Sequence, residues 1–117
     1  KELFDRGEFV VSAEVGPPKG IHVDELVEEA KTYLKGVHAV NVTDNQSSVM
    51  RLGSLAMCKV LKDAGMDPIF QLACRDRNRI ALESDLLSAA MFGIQRWAII
   101  RRQNRYSTLT LYLFFTQ

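Results

Sequence analysis

The feature that most constrains this chain is a recurrence. β-Forming residues, a polar loop, a helical stripe and a turn follow one another three times. Val11, Val40, Ile69 and Ala98 fall at matching positions in successive apolar runs, each 29 residues after the last. Alternating β and α units at this period predict a parallel sheet with right-handed crossovers. The spacing predicts strands over 9–14, 39–43, 68–73 and 96–100. The intervening helical faces are Val23, Leu26, Val27, Ala30 and Leu34, then Val49, Leu52, Ala56 and Val60, then Leu82, Leu86, Ala89 and Ala90. Residues 1–8 are polar and fit a short capping helix. A closed barrel of about 250 residues allots roughly 31 to each of its units. A smaller doubly wound sheet fits the pattern nearly as well. No Gly-rich phosphate loop follows any strand, which counts against a nucleotide fold of that second kind.

The 117 residues make one domain with a real core. The net charge of +1 points to neither nucleic acid nor membrane. Its distribution is uneven, because all 14 acidic residues lie at or before Asp85 and the remainder carries only arginines. Cys58 and Cys74 have no metal-ligand spacing, no metal site is expected, and a reducing, cytoplasmic location is the simplest reading. No apolar run reaches the length of a membrane span.

Three loops that follow strands begin with polar residues. A parallel sheet opens all of them on one edge. Glu14 ends the first apolar run, before Gly16, Pro17 and Pro18 break the strand. A carboxylate within a buried strand is costly unless compensated, so Glu14 is the leading candidate for chemistry. Thr43, Asp44, Asn45 and Gln46 open the second loop. Gln71 precedes the third, which contains Cys74, Arg75 and Asp76. Solvated loops and helix caps would look the same. No histidine is placed to activate Cys74, so packing is its simpler role. Arg75, Arg77 and Arg79, with a second cluster at 101–105, leave open a non-enzymatic module that binds nucleic acid or a protein partner.

Three blocks carry a resemblance. They are Val11-Ser-Ala-Glu-Val-Gly-Pro-Pro18, Ala39-Val-Asn-Val-Thr-Asp-Asn-Gln46 and the run from Cys74 to Leu87. In this order, over about residues 3–95, they resemble methylenetetrahydrofolate reductase of the bacterial and archaeal type. The resemblance implies a (βα)8 TIM barrel, here partial, with about four parallel strands and three helices. It implies FAD at the carboxyl ends of the strands, reduced by NADH or NADPH, and reduction of 5,10-methylenetetrahydrofolate to 5-methyltetrahydrofolate. Glu14 matches the family's catalytic glutamate, the acid that assists opening of the folate ring. A partly desolvated pocket would keep such a carboxyl protonated near neutral pH. Thr43, Asp44 and Gln46 match positions near flavin and nicotinamide. Gln71 stands where some relatives place a flavin-contacting histidine.

The pattern departs at the fourth strand. The family usually ends it in a Gly-Asp pair, and Arg102 and Gln103 stand there instead. The expectation is that residues 1–100 form the N-terminal half of a (βα)8 barrel and that 101–117 are an atypical tail, out of frame or otherwise non-native. Half a barrel leaves sheet edges open, which favours self-association or aggregation, and a homo-oligomer or, as in some relatives, a partner subunit is left open. Little or no activity is expected of this chain alone.

Overall fold

The computed structural model describes residues 2–104 and 107–114, with side chains described for 2–101. The helices are α1 (Glu2–Asp5), α2 (Asp24–Tyr33), α3 (Ser54–Asp63) and α4 (Arg79–Met91). The strands are β1 (Ser12–Val15), β2 (Ala39–Val42), β3 (Pro68–Ala73), β4 (Arg96–Asn104) and β5 (Ser107–Phe114). They form one sheet in chain order. The first four are parallel, and β5 returns antiparallel to β4. The fold is α/β, and its four parallel strands fit part of a TIM barrel.

The placement of the helices decides between the two architectures left open by the spacing. Val27 and Ala30 of α2, Met57, Cys58 and Leu61 of α3 and Ala89 of α4 bury in one cluster with Val15, Val40, Val42, Phe70 and Leu72. All three crossovers therefore lie on one face. A doubly wound sheet would divide them between two faces. The opposite face has its own gradient. Ala39, Ile69 and Ala98 cluster towards the amino ends of the strands. Towards the carboxyl ends that face carries Glu14, Asn41 and Gln71, with Ala73 and Ile100 beside them, and the Gln71 amide donates to Asn41 Oδ1 at 3.5 Å. The side chains alternate faces with the period of two that a strand imposes.

That alternation corrects three expectations. First, Glu14 is exposed, not buried. Val15, its neighbour, turns to the helices, so Glu14 must turn to the face they do not cover. Second, β1 begins at Ser12, and Phe9 and Val11 are exposed. Pairing with β2 starts only at Ser12–Ala39. Third, the residues 29 apart are not directly opposed. Ala13 pairs with Val40, Val40 with Pro68, and Gln71 with Ala98. Val40 faces the helices, whereas Ile69 and Ala98 face away from them.

Helix α3 also starts later than its apolar spacing suggested. Residues 44–53 are occupied by a loop and a short turn of 3-10 helix at Gln46–Ser48. The buried stripe is Ser54, Met57, Cys58 and Leu61, and Ala56 is exposed. The Ser54 hydroxyl donates to the Gln71 carbonyl at 2.8 Å, which pins the first turn of α3 to β3. The polar residues at 44–48 do not cap the helix. Helix α4 does have a side-chain cap, in which Asn78 Oδ1 accepts from the Ala81 amide at 2.9 Å. Ala90, expected on its apolar face, is exposed. Trp97 packs against the core and donates from Nε1 to the Ile94 carbonyl at 2.9 Å.

Candidate functional site

The loops that leave β1, β2 and β3 surround a cavity of about 670 Å³ at the carboxyl edge of the sheet. Glu14, Thr43, Asp44, Gln46 and Gln71 all line it. The five positions singled out from sequence thus come together, from three different strand ends. In parallel α/β proteins this edge is where ligands bind, because the strands stop there and the loops are free to vary.

Each side chain is held differently. Glu14 projects from β1 opposite Asn41 and is open to solvent. Thr43 extends the β1–β2 ladder by donating its amide to the Val15 carbonyl at 3.2 Å. Its own hydroxyl is buried and has no hydrogen-bond partner among the described residues. A Cβ on Gly16 would lie 3.7 Å from that oxygen, so a side chain there would stand against it. A buried hydroxyl without a partner is costly and marks a place where a ligand atom could complete the geometry.

Asp44 is the most enclosed member, and its side chain is fully buried. Its Oδ2 accepts from the Ala73 amide at 2.8 Å and from Arg77 Nη1, and its Oδ1 accepts from Arg77 Nη2 at 3.1 Å. Arg77 also donates from Nε to Asp85 Oδ2 at 3.0 Å. Burial works against the charge on Arg77. The hydrogen bonds and charges of Asp44 and Asp85 outweigh it and raise the pKa of the guanidinium above its ordinary value.

The sequence pointed to Asn45 and Arg75 among its polar loop residues, but missed Ser47 and Ser48 and, beside the cavity, Asn41. Asn41 stands two residues before Thr43 in β2, so the period of two could have placed it on the same face. Asn45, Ser47 and Ser48 line the cavity and have positive φ angles of 43°, 59° and 60°. The Asn at 45 is the one such residue whose type hints at that conformation. Arg75 stands at the rim, where its Nη2 donates to the Asn45 carbonyl at 3.1 Å.

Each arginine of the first basic cluster has an acidic neighbour. Arg75 pairs with Asp76, Arg77 with Asp44 and Asp85, and Arg79 with Glu83. Hydrogen bonding with Arg75 lowers the Asp76 pKa, and the same bond raises that of Arg75. Arg102 and Gln103, the departure at the end of the fourth strand, lie outside the residues with described side chains. No group of three or more metal-ligating side chains gathers among the described residues.

The sequence model of the family described as methylenetetrahydrofolate reductase matches residues 1–102. This chain belongs to the methylenetetrahydrofolate reductase family. The match runs past residue 95, where the resemblance read from motifs stopped, and includes most of β4. Membership makes the chain part of a family of folate-related oxidoreductases. No curated protein matches it.

Proposed function

We propose that the cavity at the carboxyl edge belongs to an NADH- or NADPH-dependent, FAD-containing reductase that converts 5,10-methylenetetrahydrofolate to 5-methyltetrahydrofolate. One observation carries this reading. Glu14, Thr43, Gln46 and Gln71, matched to family positions at three strand ends, line a single cavity. The donor set suits a flavin ring. The Thr43 hydroxyl is buried without a partner, and the amides of Gln46 and Gln71 offer both donors and acceptors to a polar ring edge. When bound, FAD would supply the hydride chemistry that connects the nicotinamide cofactor to the folate.

The chain's own residues have distinct tasks in this scheme. Glu14 gives a proton to the folate ring nitrogen whose bond to the bridging carbon breaks. The electrons of that bond stay with the nitrogen, and the carbon becomes a reactive iminium. A carboxyl can do this only if it holds its proton, which desolvation favours. In the open sheet Glu14 is exposed, so the bound ring systems would have to supply that desolvation. Thr43 and Gln71 orient the ring edge beside it. No described helix is long and apolar enough to cross a membrane, and a cytoplasmic setting is part of the same proposal.

Four parallel strands give one wall of such a site, and a closed barrel has eight. Turnover is therefore expected to be small in this chain and is best read after the sheet is closed with the remaining units of a family member. There, Glu14→Gln is expected to lower the rate of methylenetetrahydrofolate reduction by about 10²–10⁴, the usual contribution of a general acid. Flavin content should stay the same. An undiminished rate in Glu14→Gln would refute the acid role.

A further inference from the structure

We propose that Asp44 and Arg77 form a clamp that holds residues 44–48 as a preformed wall of the cavity, with Asp44 a positioning residue for the ligand. The inference rests on the reading of the cavity as a flavin site and extends it to residues that need not touch the flavin.

The wall is built from an unfavourable backbone. Asn45, Ser47 and Ser48 occupy the left-handed region, which residues with a Cβ adopt only where the surroundings hold them. The surroundings do so through hydrogen bonds from the segment 73–77, from the Arg51 amide and, behind Arg77, from α4. Asp44 takes the Ala73 amide and the fork of Arg77, which joins this loop to the end of β3 and, through Asp85, to α4. Asn45 Oδ1 accepts from the Arg51 amide at 2.9 Å, and its carbonyl accepts from Arg75. The ion pair also settles the local charge. A buried carboxylate facing a cavity would repel a negative or electron-rich ligand edge, and Arg77 cancels it. What the cavity then sees from this wall is amide and hydroxyl. That suits the neutral, hydrogen-bonding edge of a heterocycle, the class to which the flavin ring belongs.

The test uses the full chain with Asp44→Asn and Arg77→Met. Arg77→Lys serves as the variant gentler to folding, and Glu28→Gln, which breaks an exposed pair with Lys31 on α2, as a control. Amide hydrogen exchange is followed by mass spectrometry, and riboflavin, which carries no phosphate, is titrated by its fluorescence. Asp44→Asn and Arg77→Met are expected to speed exchange in peptides covering 43–50 and to weaken riboflavin about tenfold, as expected for losing a charged hydrogen bond. Peptides from the core of α3 should not change. Arg77→Lys should fall between these variants and the unaltered chain, since it keeps the charge and loses the fork. Glu28→Gln should stay close to the unaltered chain. Unchanged loop exchange, or a rise shared by every element, overturns the clamp. Faster loop exchange with unchanged riboflavin affinity overturns the positioning role. If the unaltered chain binds no riboflavin, the flavin reading fails, and the exchange measurement alone decides whether the clamp exists.

Discussion

At the scale of single residues, what a side chain can do is set by the face it occupies. The two cysteines illustrate this. Cys58 lies on the buried stripe of α3, and burial pushes its thiol pKa well up. Cys74 follows β3 and is half-exposed. Thiolate is the reactive form, so iodoacetamide should label Cys74 in the folded chain and reach Cys58 only on unfolding. Mass spectrometry of the labelled peptides checks this, and equal labelling of both in the folded state would contradict the burial of α3. Among the carboxylates, Asp44 and Glu14 line the same cavity in opposite circumstances. Asp44 spends both oxygens on partners, whereas Glu14 stands open. That division suits one to structure and the other to chemistry.

At the scale of elements, helix α3 offers the sharpest check. Leu61 is fully buried, and Leu61→Ala should cost about 2–5 kcal/mol in stability through lost transfer energy and the cavity left behind. Ala56→Ser, at a position the apolar spacing assigned to the core, should stay within about 0.5 kcal/mol because it is exposed. Urea unfolding of both variants measures the difference. The contrast also shows what could be read from the sequence. The order of elements was legible, and β3 matched its expected range, because Pro68 and the apolar run after it leave little choice. The start of α3 was not. Val49 and Leu52 continue the helical spacing backwards, but the chain is held there by tertiary bonds. The Leu52 amide donates to the Pro18 carbonyl at 2.8 Å, and Arg51 donates to the Pro17 carbonyl at 3.1 Å. The pairing of Asp44 with Arg77 was equally hidden, since 33 residues separate the partners and only the parallel sheet brings their loops together. The exposure of Glu14 follows from the same cause, because composition shows an apolar strand but not which face lacks a cover.

At the scale of the whole molecule, the sheet is singly wound, with its three crossover helices on one face and polar side chains at the carboxyl end of the other. Everything proposed about function depends on that polar end being where the ligand sits. The antiparallel β5 follows β4 without an intervening helix, which departs from the repeat that precedes it. A second hollow, of about 340 Å³, lies at the amino edge between α2 and the loop before β3, and it serves as an internal control. The most direct measurement is an FAD titration of the isotope-labelled chain, followed by amide chemical shifts in NMR. The account predicts that shifts gather at residues 14–16, 43–48 and 71–75, while residues 31–38 at the amino edge stay still. Shifts centred on the amino edge, or none at saturating FAD, would contradict it.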